Sequence, residues 1–254
     1  MRRWIKIAVI AALGLTGAVA GAAPQTDLGW ADMPDPAAQV FEDPFRDLSP
    51  EQFDDLRFAV RLRSRLAQDV GRAEERQKWR DLLTETEAAL AQDDIDVDRM
   101  LSQREVVIQR RINADTAGNP RIDGQVVTIA GYAIPAPPDA DGRPVAYLVP
   151  QPGMCSHLPP PPANQMIRVL LTRDWTPEYV HEPVRLTGKL TIDPSDREMN
   201  VVDGLVLMQA TFKLDATDAM PIDQTDDERA RVQDMIDRLR AGAHRKTGGS
   251  QPQN

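Results

Sequence analysis

The sequence predicts an α+β protein: a small, OB-like five-stranded β-barrel preceded by a helical hairpin and followed by a short C-terminal helix. Three observations predict it. A helical apolar period runs through residues 49–111 behind a well-formed helix start. A polar break at residues 113–123, carrying Gly118, Asn119 and Pro120, ends that period. Beyond it, short β-branched segments alternate with Pro, Gly and Asp turns. Such strands hide their edges best by closing into a barrel, with an open sandwich sheet as the alternative.

Residues 1–22 read as a secretory signal peptide. Arg2, Arg3 and Lys6 precede an apolar run at 7–19, and Ala18-Val19-Ala20 and Ala20-Gly21-Ala22 both fit small-residue cleavage sites. The run falls short of the roughly 20 residues that a spanning helix needs. The mature chain is therefore expected in the periplasm without stable membrane insertion. Loss of the three leader cations takes the formal charge from -9 to -12, which disfavours nucleic acid as a partner. One cysteine cannot close an internal disulfide, so an ordinary core must supply stability.

Residues 23–48 read as an irregular arm that lays Trp30, Phe41 and Phe45 onto a neighbouring surface. Ser49, Pro50 and Gln52 then form a capping-box start. Phe53, Leu56, Val60, Ala67 and Val70 mark one stripe, and Trp79, Leu82, Leu83 and Leu90 continue it in shifted register after Gly71. A second stretch from Asp96 carries Met100, Leu101, Val107 and Ile108, so residues 49–112 form the hairpin. Its stripe is expected to pack within the chain, with a docking surface for another envelope protein as the alternative.

Strands are expected at residues 125–132, 146–150, 166–172, 184–192 and 205–214, inside a barrel domain spanning 122–221. Residues 222–254 form the C-terminal part, an amphipathic helix with Val232, Met235, Ile236 and Leu239 on one face, and a disordered tail.

The candidate site lies between the second and third strands, where loops on a rigid sheet tend to carry binding groups. Cys155 and His157, two apart on an extended backbone, would face the same way. Pro159, Pro160, Pro161 and Pro162 stiffen the chain between this pair and Asn164 and Gln165. Three chemistries compete. Thiolate and imidazole suit zinc or copper, with His181, Glu182 or a loop aspartate as third ligand. His157 could instead activate Cys155 as a nucleophile, although no orienting third group is visible. In the structural reading, which is preferred, Cys155 fills an apolar niche and His157 bonds a backbone carbonyl. Asn164 and Gln165 then tie the proline elbow to the barrel. The rigid ridge could itself be a docking edge, with Tyr147 and Trp175 as aromatic neighbours.

This Cys-x-His motif followed by prolines and Asn-Gln resembles the bacterial family known as domain of unknown function 3299. The segments at 123–132, 147–150 and 183–190 resemble the family's first, second and exit strands, over roughly residues 122–221, with Trp30 a fainter match. The resemblance implies an exported protein without assigned activity, accessory to an envelope ABC transporter and partnered by a protein such as its permease. The functional expectation is accordingly a non-enzymatic binding or interaction protein, with no certain cofactor and a candidate link to metal. A zinc- or copper-binding protein using Cys155 and His157 is the alternative, and a cysteine-dependent enzyme the lesser one.

Overall fold

The computed structural model describes residues 26–155, 158–201 and 204–223, together with Asp234 and Arg238. The expected signal peptide, His157 and nearly all of the expected C-terminal helix lie outside the described residues.

The helical region comprises α2 (Pro50–Ala67), α3 (Ala73–Gln92) and α4 (Val97–Thr116), three helices where a hairpin of two was expected. The difference arises at Gly71. The shifted stripe there is a chain reversal, in which Asp69 and Gly71 both take left-handed backbone with φ of +51° and +86°. The start of α2 agrees with its sequence signature. Ser49 Oγ accepts from the Gln52 amide at 3.2 Å, Gln52 Oε1 accepts from the Ser49 amide at 2.9 Å, and Pro50 occupies the first turn. Asp96 caps α4 by accepting from the amides of Asp98 and Arg99. Leu56, Ala59, Leu90, Val97 and Met100 form the small core that the three helices share.

The arm is more regular than expected. It supplies β1 (Thr26–Asp27), a 3-10 turn (Trp30–Asp32) and the one-turn α1 (Pro36–Gln39). Its polar, proline-rich residues give no period to read, and its form is set by the surface it packs on. Trp30 packs against the main core, and its Nε1 donates to the Ala130 carbonyl at 2.8 Å.

The sheet has six strands rather than five: β1, β2 (Val126–Ala136), β3 (Val145–Val149), β4 (Ile167–Leu170), β5 (Glu182–Val201) and β6 (Gly204–Pro221). Antiparallel pairing runs β2 to β3 to β4, β4 pairs parallel with β6, β6 pairs antiparallel with β5, and β5 pairs back onto β2. Strand β1 adds two parallel residues beside Val127 and Thr128. The two longest strands exceed the expected spans, because Pro194 reads as a strand end yet lies within a register shift between Ile192 and Ser195. A second shift falls at Gly188, where a Cβ would sit 2.3 Å from the Asp215 carbonyl oxygen. That spacing admits only glycine.

Val127, Ile129, Leu148, Ile167, Val169, Leu186, Leu190, Phe212 and Leu214 fill the main core inside the sheet. Each such side chain contributes about 1.5–3 kcal/mol by leaving water. A second core gathers Ile134, Tyr147, Val149, Cys155, Met166, Met199 and Met208. No helix among the described residues is long and apolar enough to cross a membrane.

Candidate functional site

The candidate loop leaves β3 at Val149 and reverses tightly. Gly153 (φ +86°) and Cys155 (φ +64°) both take left-handed backbone, Met154 bridges Leu158, and the Leu158 amide donates to the Gly153 carbonyl at 2.9 Å. Cys155 is thus in a turn, and the expectation of an extended segment aiming residues 155 and 157 the same way fails at its first residue. A non-glycine residue in that conformation costs on the order of 1–3 kcal/mol, offset by its surroundings. Here the offset is burial, since Cys155 is 3% exposed within the second core. Burial pushes its thiol up to about 11, away from the thiolate that a nucleophile requires.

His181, a weaker sequence candidate, is brought to this loop by the sheet. It immediately precedes β5, where Glu182 pairs with Ala133 at the far part of β2. Its own φ is +67°, its amide donates to the Ala133 carbonyl, and its ring Nε2 lies 2.8 Å from the Met154 carbonyl oxygen. A carbonyl can only accept, so Nε2 is the donor in this bond. An imidazole that donates one N–H to a backbone carbonyl has the orientation typical of ligating histidines, and also of purely structural ones. Glu182 points elsewhere, its Oε2 accepting from the Glu178 amide at 2.6 Å. Among the described residues no three His, Cys, Asp or Glu side chains converge to hold a metal.

The proline ridge is held from behind. Pro159, Pro160 and Pro162 are exposed while Pro161 is buried. Buried Asn164 donates through Nδ2 to the Ala114 and Ala117 carbonyls at 2.7 and 3.0 Å. These carbonyls, at the end of α4 and its cap, also accept from Gln39 Nε2 and from the Asp35 amide, so Asn164 joins the arm in covering the helix end. Gln165 Nε2 donates to the Trp30 carbonyl at 2.8 Å. The two amides therefore fasten the elbow to a helix end and to the arm, not to the sheet as expected. The Asn-Gln pair hints at anchoring in the sequence, but nothing local names the anchors, which lie 47 to 135 residues away. Tyr147 is buried in the second core with Cys155, and Trp175 packs on the main core.

The profile of the family described as protein of unknown function DUF3299 matches residues 46–221. Among solved structures, the crystal structure of a DUF3299 family protein from Pseudomonas aeruginosa is similar at 23% identity, with a TM-score of 0.32. The matched region covers 41% of this chain and 66% of that one, just under two thirds of the relative's length. No curated protein matches the chain.

Proposed function

The chain belongs to the DUF3299 family of proteins of unknown function, and from that premise we propose that it is an exported, non-enzymatic binding or interaction protein, accessory to an envelope ABC transport system. The observation that carries this reading is the ridge at Pro159, Pro160 and Pro162, exposed on one side and fastened by Asn164 and Gln165 on the other. A preordered proline edge presents a docking surface with little conformational entropy left to lose. The pairing that returns from β5 to β2 supports a small barrel of OB-like kind as its scaffold. A transporter permease in the same envelope is the partner proposed.

The test is biolayer interferometry of the purified chain against a detergent-solubilised permease of an envelope ABC transporter from the same organism. Substituting Ala for Asn164 and Gln165 together is expected to weaken binding about tenfold or more by unfastening the ridge, a loss of about 1.4 kcal/mol. Unchanged affinity in that variant, or no affinity in the parent chain, sinks the reading.

A second reading is favoured by the His181 ring beside the Met154 carbonyl, one residue from Cys155. Zinc or copper would take Cys155, His157 and His181, the thiol giving up its proton to the metal. Equilibrium dialysis with each ion separates the possibilities. Equal stoichiometry in C155A, H157A and H181A removes these ligands. A cysteine-dependent enzyme is the poorest fit, because burial raises the thiol that it would have to ionise.

A further inference from the structure

An open cleft of about 640 Å³ runs between α2 and α4, away from the proline ridge. Leu56 and Val60 of α2 and Leu101 and Ile108 of α4 line its apolar trough, and Phe45 also borders it. Phe53, at the same cleft, is left 42% exposed. The volume lies within the usual range of binding clefts, about 300–1,000 Å³.

Its charged lining is cationic throughout: Arg57 and Arg61 from α2, Arg104 and Arg111 from α4. Arg111 is committed to Asp43 by two bonds of 2.7 and 2.9 Å. Arg57 stacks over Phe53 at 5.8 Å, and its one ion pair among the described residues is with the exposed Asp54, at 3.4 Å. Arg61 stacks on Phe58 at 5.8 Å, and neither it nor Arg104 makes an ion pair among the described residues. In a chain of formal charge -9, a trough walled by arginines is a local inversion of sign. It attracts an anionic partner.

The placement of the charges selects the kind of anion. With Arg111 committed to Asp43, Arg57 and Arg61 lie one helical turn apart, about 6 Å at 1.5 Å rise per residue, on one wall, and Arg104 stands on the other. A single anionic head group would need cations converging on one point. Cations spread along both walls of an apolar trough match a rod with an apolar stripe and carboxylates at helical spacing on each flank. We propose that this cleft docks an acidic amphipathic α-helix of a partner protein. Its apolar stripe seats on Val60, Leu101 and Ile108, and its carboxylates meet Arg57, Arg61 and Arg104. The inference is independent of the ridge and of any metal at Cys155.

Fluorescence anisotropy tests it with the full chain and a labelled synthetic helix of about four turns, in which a Leu stripe is flanked by Glu; its twin carries Lys in place of Glu. The Glu peptide is expected to bind saturably, more weakly as salt rises, and the Lys peptide not at all. Arg61→Glu with Arg104→Glu is expected to weaken binding about tenfold or more. Should that variant melt early, Arg61→Gln with Arg104→Gln keeps the test, with an expected loss of about threefold. No binding by the Glu peptide, equal binding of the two peptides, or affinity unchanged in both variants overturns the proposal. So does binding that appears only when the chain is ended after Asp223, since the occupant would then be its own C-terminal segment. None of these changes touches residues 151–165, so the ridge reading stands or falls separately.

Discussion

Cys155 combines left-handed backbone with a buried thiol, and the two together make it a fixed part of the second core. Because burial raises its folded pKa from 9.0 to about 11, the thiol favours the folded state fully below about pH 9 only relative to alkaline conditions, where the unfolded chain ionises first. That contribution fades as pH rises through 11. Urea unfolding between pH 8 and 11 is therefore expected to show the parent chain losing stability faster than Cys155→Ala; parallel curves would refute the burial argument. Native protein should also react with a thiol reagent at pH 8 far more slowly than unfolded protein. The residue types at this site were legible before the fold was: a lone thiol, two histidines and a proline elbow. Their relations were not. Neighbour spacing suggests Cys155 with His157 on an extended strand, whereas the turn at Gly153 and Cys155 and the approach of His181 depend on strand register between distant parts of the chain.

Among the elements, α4 ties the candidate loop to the arm. Its last turn holds Asn164, and Arg111 near its end holds Asp43 of the arm. Asp43 is buried, with a side chain 2% exposed, and the Arg111 hydrogen bonds keep its carboxyl below the usual 3.8. A depressed carboxyl stabilises the fold above its unfolded value and ceases to do so as pH falls through the folded one. Asp43→Asn is expected to cost about 1–3 kcal/mol at pH 7 by leaving polar groups poorly paired. The gap from the parent chain should narrow below about pH 4, as guanidine unfolding at pH 7 and pH 3 would show; a constant gap would mean that the charge is immaterial. At this scale helix starts were readable because caps are local, while the break at Gly71 and the ordered arm were not. The first needs a sign of φ that a stripe does not report, and the second takes its form from Ala130 and Gln165.

For the whole molecule, the α-then-β order was plain in the change of period at residue 113, and each of the five expected strand segments overlaps an observed strand, give or take its ends. Strand number, the parallel β4–β6 pairing and the return to β2 depend on long-range partners that no window of sequence contains. The distal part of β5 and β6 shows what this pairing leaves over. From Ser195↔Ala210 to Val201↔Gly204 the two strands pair with each other and with no third strand among the described residues. Leu205 and Leu207 are exposed on that ribbon at 61% and 44%. Open margins with apolar side chains invite copies of the same chain to add on, and consecutive Asp196, Arg197 and Glu198, all exposed, counter this. Neutralising them as D196N, R197Q and E198Q is expected to raise light scattering in concentrated solution without lowering the unfolding midpoint; clear solutions would show that the margin is harmless. Colloidal stability is thus expected to depend on three adjacent charges midway along one ribbon, whose Met199 and Met208 pack inward beside Cys155 while the charges face out, so solubility could be tuned there from the outer side of the second core.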